Sequence, residues 1–428
     1  MRKLLLLLAA LAAAGGAAAQ LRLPSLNLPQ GLGALDELRR PAQQLVDRVD
    51  LPDLRTLRLD QVGQLLRRHP DVLEADPRGE PVLRGEILAW NPSPAALDAA
   101  RGAGLRVARE ERFEELDQIL VTLRVPEGAG TAQVLDRLRA RDPDGHYDFN
   151  HIYTGSGTAP ASASAGDAAS APADQGTPGV GLVDSGVDRS HRSLHDSRIQ
   201  SWGCGGTAHP STHGTAVAAL MVGRDGRFRG AAPGMQLYAA DIYCDDPAGG
   251  SAERIAAALA WLAHEQVGVI NLSLVGPPNQ ALERVVAAMV KRGHLLVAAV
   301  GNDGPAAPPL YPASYPGVVG VTGISRNGDP LPEAARGPQV MFAAPGNNMV
   351  SAVPGDPPYR TMRGTSFAAP IVAGLLAPKL VRPDRNRAHD AVDALARSAS
   401  GVDKGAISNS LGYGIVGADV RTDPAWLR

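Results

Sequence analysis

The 428-residue sequence predicts an α/β fold: a doubly wound parallel sheet in residues 179–428, preceded by a small ferredoxin-like α+β domain in residues 84–153. After residue 179, near-continuous apolar runs alternate with helical patterns, which is typical of a parallel sheet covered on both faces. Residues 84–153 follow a β-α-β-β-α-β order. Between these regions, residues 154–178 are mainly Ala, Ser, Gly and Pro. We expect them to be a flexible linker, because they cannot bury enough apolar surface to fold.

The first 19 residues have the features of a secretory signal peptide. Arg2 and Lys3 precede an apolar run at residues 4–14, and the alanines at residues 17–19 offer a small-residue cleavage site. Because the apolar run is too short for a good membrane span, we expect an exported protein, periplasmic or extracellular, with no span in its mature form. The alternative is a buried amino-terminal helix.

Residues 20–83 form an amino-terminal pro-segment of unknown role, with short amphipathic helices such as residues 60–68. Ser93 is suited to cap a helix in the small domain, and Gly104 lies just past its end. The strands that we expect there are residues 86–90, 105–108, 119–123 and 147–153, with helices at residues 93–103 and 130–140.

The large region alternates strands and helices up to residue 344. The expected strands are residues 180–184, 237–242, 267–274, 295–302, 318–324 and 340–344. Apolar stripes predict helices at residues 251–264 and 279–292, the second with Asn279 as its cap and Gly293 at its end. This pattern predicts a doubly wound sheet with right-handed crossovers.

Three short motifs contain groups used in nucleophilic catalysis. Asp184 ends the apolar strand GLVD, His213 opens the apolar helix HGTAVAALM, and Ser366 lies in RGTSFAAP ahead of another apolar helix. Free N–H groups at a helix start favour developing negative charge, although Ser366 by itself is equally an ordinary helix cap. A serine hydroxyl is a weak nucleophile that needs an adjacent base, and the base needs an orienting acid. The three motifs together supply all three groups.

The motifs GLVDSG, HGTAVA and GTSFAAP resemble those of the subtilisin-like serine peptidases, the subtilase family, over residues 177–418. The late segment LGYGIV is similar to the closing motif of that family. The resemblance implies that Ser366 is the nucleophile, that His213 is the general base and that Asp184 orients the histidine. It also implies that Asn302 is the oxyanion-hole donor, whereas the alternative is an asparagine used for turn geometry.

The same resemblance implies a substrate site. Residues 271–276 resemble the segment that pairs with the peptide backbone, with residues 248–250 on the other side of the peptide. The residues carried over as substrate-binding are Ser273, Leu274, Val275, Gly276 and Leu310, the last as the floor of the first specificity pocket. The family often has Gly at the places of Val275 and Leu310, so we expect small or medium residues before the cut bond.

By its position, the domain of residues 84–153 resembles the propeptide of the family, an intramolecular chaperone and inhibitor; the alternative is an unrelated small α+β domain. The expected protein is a secreted serine endopeptidase, synthesised as a self-processing proenzyme. It acts as a monomer on protein or peptide substrates, with its own propeptide as a partner in cis. The net charge of −2 provides no broad basic surface for nucleic acid.

Two alternatives are weighed, the first from a different functional class. A catalytically inactive subtilase-like binding module predicts loss of a triad residue or of Asn302, and none is lost. An acid-acting relative of the sedolisin type, with a Ser-Glu-Asp set, lacks the histidine that stands here as His213.

Cys204 and Cys244 are the two cysteines of the chain, and in an exported protein such a pair indicates a disulfide. The alternative is two separate thiols. Asp245 and Asp246 are oxygen ligands of the kind that Ca²⁺ prefers, and subtilases often bind calcium, but no stretch has a recognisable ligand spacing. We therefore expect no required cofactor and no metal site.

Overall fold

The computed structural model describes residues 54–155 and 178–427, with side chains from residue 58 onward. These residues belong to one compact unit, Pro52–Arg428. The predicted signal peptide and most of the predicted linker lie outside the described residues. Within the described part, no helix is both long and apolar enough to cross a membrane.

The first described elements are helix α1 (Leu54–Arg68) and strand β1 (Leu73–Ala75). We call residues 54–80 the arm. The helix predicted at residues 60–68 therefore starts earlier. β1 pairs antiparallel with the strand that begins at Pro81, so the predicted boundary after residue 83 falls inside a strand. The arm is thus joined to the small domain by sheet pairing.

The small domain, residues 81–151, has the predicted order of elements. They are β2 (Pro81–Trp90), α2 (Pro94–Gly102), β3 (Arg106–Phe113), β4 (Gln118–Arg124), α3 (Thr131–Arg141) and β5 (His146–His151). The antiparallel strand order is β5-β2-β4-β3, which is the ferredoxin-like arrangement. Ser93 caps α2, since its hydroxyl accepts from the Ala96 N–H. Ile87, Leu123 and Leu135 lie in the apolar core between the sheet and the two helices.

We call residues 152–155 the tail; it includes β6 (Thr154–Gly155). The strands that follow are β7 (Gly179–Asp184), β8 (Ile199–Trp202), β9 (Arg224–Asp225), β10 (Phe228–Arg229), β11 (Gln236–Asp241), β12 (Val269–Leu272), β13 (Leu274–Val275), β14 (Leu295–Ala299), β15 (Val319–Ile324), β16 (Val340–Pro345), β17 (Met349–Ala352) and β18 (Tyr359–Met362).

A seven-stranded parallel sheet forms the centre of the large domain, residues 179–427, in the order β16-β15-β14-β12-β7-β11-β8. The strand predicted at residues 267–274 is two strands, because the pairing of β12 ends before Ser273. β8 was not predicted, since this short edge strand is only partly buried and carries Gln200 and Ser201.

Helices cover both faces of this sheet, as a doubly wound fold requires. They are α4 (Thr212–Val222), α5 (Ala252–His264), α6 (Gln280–Arg292), α7 (Ala369–Leu376) and α8 (Arg385–Ser398). Leu182 packs with α4 and α7 on one face, while the adjacent Val183 packs with α5 and α6 on the other. Asn279 caps α6 as predicted, and Gly293 ends it at a φ of 92°.

Candidate active site

Asp184 and His213 form a hydrogen-bonded pair at the carboxyl end of β7, an interior strand of the parallel sheet. The Nδ1 atom of His213 lies 2.8 Å from Oδ1 of Asp184. The same carboxylate oxygen accepts from the N–H and the hydroxyl of Ser185, at 2.7 and 3.0 Å. Asp184 is buried, and the hydroxyl of Ser211 caps the first turn of α4 by accepting from the His213 N–H. The end of β7 and the first turn of α4 therefore hold the two partners together.

Ser366 lies in the 3₁₀ turn Thr365–Phe367, just before α7, and is fully buried. Gly364 precedes this turn with a φ of 135°, a conformation that favours glycine. The hydroxyl of Ser366 lies 3.5 Å from the carbonyl oxygen of Ser273, and the Ser273 hydroxyl donates to the Ser366 carbonyl at 2.9 Å. The neighbouring Phe367 ring packs on the His213 ring, with centroids 5.4 Å apart. The serine and the histidine are thus brought to the same corner of the sheet.

Asn302 follows β14 and faces the turn that contains Ser366. Its side-chain oxygen accepts from the Thr365 N–H at 3.1 Å, and the Gly301 N–H donates to the Thr365 hydroxyl at 3.3 Å. With the oxygen directed at Thr365, the NH₂ end of the carboxamide faces away from that N–H. The orientation of Asn302 is therefore set by the segment that carries the nucleophile candidate.

The tail lies in the cleft as a strand between two segments of the large domain. Thr154 and Gly155 pair antiparallel with Val275 and Leu274 of β13. On the other side, the Tyr153 N–H donates to the Gly250 carbonyl at 2.8 Å. The predicted linker therefore starts too early. Thr154 and Gly155 were expected to belong to it, but both residues pair in a sheet.

Gly155 and Tyr153 of the tail make the closest contacts in the cleft. A Cβ atom placed on Gly155 would lie 3.7 Å from Nε2 of His213, so the tail passes directly over the imidazole. Tyr153 is fully buried, and its hydroxyl donates to the Pro277 carbonyl at 2.7 Å. Burial raises the pKa of this hydroxyl well above its ordinary value. A Cβ on Gly276 would lie 2.5 Å from the Tyr153 ring, so the absence of a side chain there admits the ring.

Val275 and Leu310 meet beside Gly301, next to Asn302. A Cβ on Gly301 would lie 2.6 Å from a methyl group of Leu310 and 3.5 Å from one of Val275. Both side chains are buried. Tyr311, the residue after Leu310, forms an antiparallel bridge with Gly276, the residue after Val275, so the two segments lie side by side. This part of the cleft is consequently filled by two branched aliphatic side chains.

The small domain caps two helices of the large domain. The Asp148 carboxylate accepts from the Gln280 N–H at the start of α6, and the Asn150 side-chain oxygen accepts from the Glu253 N–H at the start of α5. Free N–H groups at a helix start favour such acceptors. Arg109 adds two hydrogen bonds to the buried Glu253 carboxylate, at 2.6 and 2.7 Å. The interface combines these polar contacts with an apolar cluster that Leu88, Trp90 and Phe113 of the small domain share with α5 and α6.

Cys204 and Cys244 form a disulfide beside the cleft. Together with Asp241 they have the spacing of a metal-ligand group, but the disulfide takes up both sulfurs. Burial raises the pKa of Asp241, which lies opposite Asp184 on the next strand. Asp246, weighed as a calcium ligand, pairs with Arg254 at 2.6 Å.

Sequence reasoning missed the role of the tail. The available signal was that Tyr153, a large aromatic residue, stands directly before the low-complexity stretch. A large aromatic residue at the start of a linker indicates that this residue is buried against another part of the protein. The sequence pattern does not identify the part that it contacts.

Comparisons with known proteins match residues 176–414 to the Subtilase family, Peptidase_S8. Subtilisin E of Bacillus subtilis (strain 168) is 33% identical over 207 residues, which cover 46% of this chain and 54% of that protein. M-protease of Shouchella clausii (strain KSM-K16) is 33% identical over 255 residues, which cover 57% and 63%. The match thus spans between half and two thirds of the length of these curated relatives.

Among solved structures, fervidolysin from Fervidobacterium pennivorans, described as a keratinolytic enzyme related to subtilisin, superposes with a TM-score of 0.63 at 20% identity. The match covers 81% of this chain and 62% of that one. At this identity the likeness shows the fold, which agrees with the predicted α/β class.

Proposed function

This chain belongs to the subtilase family, and on that premise we propose that it is a serine endopeptidase made as an inhibited precursor that processes itself. The observation that carries the proposal is the tail, paired with β13 directly above the imidazole of His213. An extended peptide added to an exposed strand gains main-chain hydrogen bonds, which is how such a cleft holds a substrate. Its substrates are proteins and peptides, and the small domain is its partner in cis.

In the proposed reaction, the Ser366 hydroxyl attacks the peptide carbonyl while Nε2 of His213 takes its proton. His213 then passes that proton to the leaving amine, and water hydrolyses the acyl-enzyme by the same route. Asp184 accepts the Nδ1–H, which fixes the tautomer and stabilises the charged imidazole. The 2.8 Å contact between Asp184 and His213 supports this assignment.

Asn302 is assigned to the oxyanion that develops on the attacked carbonyl. Donors held in place before the reaction stabilise this charge without a reorganisation cost. The hydrogen bond between the Asn302 oxygen and the Thr365 N–H supports this assignment, because it holds the amide in one orientation. The chemistry requires no cofactor.

The register of the tail predicts the processed bond. Gly155 lies opposite Leu274, so a bound peptide that continues this register would place its next residue opposite Ser273, whose carbonyl oxygen is 3.5 Å from the Ser366 hydroxyl. Antiparallel pairing advances one residue on each strand. We therefore assign the cut to the bond between Ser156 and Gly157, which leaves the arm, the small domain and the tail as one released pro-region.

The cleft also suggests which peptides are cut. The buried Tyr153 stands three residues before Ser156, which favours an aromatic residue at that distance from the cut. Val275 and Leu310 fill the space beside Gly301, which favours a small residue directly before the cut. Ser156 meets this second requirement. Export is inferred from residues 1–19, and a cleavage after Ala19 in the secreted protein would support it.

The test compares the purified full chain with its Ser366→Ala variant, with Ser398→Ala as a matched control because Ser398 is exposed on α8. We expect the full chain and the control to yield a mature protein that begins at Gly157, to digest casein and to react with a fluorophosphonate. Ser366→Ala should remain uncut and unlabelled.

Two results would contradict the proposal in different ways. Absence of both labelling and casein digestion in the full chain would favour an inactive binding module. Normal processing of pure Ser366→Ala, with no other protease present, would show that the chain does not process itself.

A further inference from the structure

We infer that the arm, residues 54–80, is a second inhibitory element that holds the pro-region on the cleft after the chain has been cut. The inference rests on the proposed function, since it concerns the regulation of the same site. The arm makes three kinds of contact: with the loop that carries Asn302, with His151 at the end of β5, and with Ile152 of the tail.

The first contact is an ion pair that reaches the loop after β14. The Arg58 guanidinium donates two hydrogen bonds to the Glu80 carboxylate, at 3.0 and 2.7 Å. This pairing orients Nε of Arg58, which lies 3.6 Å from the carboxylate of Asp303, the residue after Asn302. Arg58 and Asp303 are each 11% exposed, so water screens the attraction only in part.

The second contact joins the arm to the end of β5 and to the start of α6 through buried polar groups. Asp76 of the arm lies 3.3 Å from Nε2 of His151, and Nδ1 of that histidine lies 2.9 Å from the side-chain nitrogen of Asn279, the cap of α6. Burial opposes ionisation of Asp76, but hydrogen bonds from His151 and from the Glu80 and Arg78 N–H groups prevail and hold its pKa below the usual range. The arm, the small domain and the large domain thus meet at one histidine.

The third contact is an apolar cluster that covers Ile152, the first residue of the tail. Leu65, Leu66 and Leu73 of the arm pack with Ile152 of the tail and with Ala248 of the large domain. Ile152 also forms an antiparallel bridge with Ser251, at the edge of the cleft. The arm therefore buries the residue at which the tail enters the cleft.

These contacts matter because the arm precedes the proposed cut and stays joined to the small domain afterwards. The pro-region is then a separate molecule, and every contact it makes with the large domain slows its dissociation. Folding of the pro-region does not require a contact with Asp303, because Asp303 belongs to the large domain. The arm thus lengthens the interval between processing and full activity.

The experiment follows two events in the purified full chain: appearance of the cut product, and the delay before peptide hydrolysis reaches its final rate. Arg58→Ala is compared with Arg67→Ala, a matched change at an exposed arginine of the same helix. We expect Arg58→Ala to shorten the delay about three- to tenfold, the effect of losing a partly buried ion pair. Processing and the final kcat/KM should be unchanged, because the released enzyme no longer contacts the arm.

A second measurement needs no catalysis. In the Ser366→Ala background, the amides of Thr154 and Gly155 should exchange hydrogen faster when Arg58 is also replaced by Ala or by Gln, the latter keeping most of the side-chain stem. Unchanged exchange, or an unchanged delay at normal processing, would overturn the role of the arm. Loss of all labelling and processing in the unmodified chain would instead contradict the proposed function and leave the exchange result to decide about the arm.

Discussion

The pocket beside Gly301 provides a test of the proposed specificity. Replacing Leu310 by Ala removes the side chain whose methyl group would lie 2.6 Å from a Cβ on Gly301. Leu310 is buried and shares this space with Val275. The change therefore opens room where a large side chain before the cut bond would otherwise overlap Leu310.

The magnitude follows from the cost of overpacking. Forcing extra carbon atoms into a filled site costs about 1–3 kcal/mol. At about 1.4 kcal/mol for each factor of ten, that corresponds to roughly 5- to 150-fold in kcat/KM. We expect Leu310→Ala to raise the ratio of kcat/KM for Phe over Ala before the cut by this factor, with most of the gain in cleavage after Phe.

The assay uses quenched peptides with the sequence Tyr-Thr-Gly-X-Gly, where X is Ala, Ser, Leu or Phe. Leu310→Met is the matched control, because it nearly conserves volume and should leave the ratio within a few-fold of the unmodified enzyme. Faster cleavage after Phe than after Ala in the unmodified enzyme would refute the reasoning. An unchanged ratio in Leu310→Ala would show that this residue does not line the pocket.

Three further outcomes are expected. Asn302→Ala should lower kcat about a hundred- to a thousandfold with little change in KM, as for loss of another oxyanion donor, and single-turnover kinetics would check it. Changing Cys204 and Cys244 together to Ser should lower the free energy of unfolding by about 2–4 kcal/mol in denaturant titrations, because the unfolded chain loses a constraint; an unchanged midpoint would contradict this. The lowered pKa of Asp76 adds stability that is present above pH about 4 and is lost as the pH falls further, so Asp76→Asn should flatten the acid limb of stability measured in Ser366→Ala.

Local patterns in the sequence determined most of the fold. The helices after Ser251 and Asn279 begin within one residue of their predicted starts, because caps and apolar stripes are properties of short segments. The central strands were predicted for the same reason, since each is a short apolar run between turns. The half-exposed β8 was missed because its pattern carries no such run.

In the candidate site, too, some features could be predicted from local sequence patterns and others could not. Asp184, His213 and Ser366 each lie in a short motif, so the sequence could select them, and their chain order pointed to one chemistry. Only the tertiary structure placed the tail over His213, paired Arg58 with Asp303 and joined Asp76 to His151. Each of these contacts joins segments that are distant in sequence and that pack through different elements. The residues next to such a side chain in the sequence do not depend on a partner from another domain, so local patterns cannot predict the contact. These contacts are decided by the packing of the folded chain.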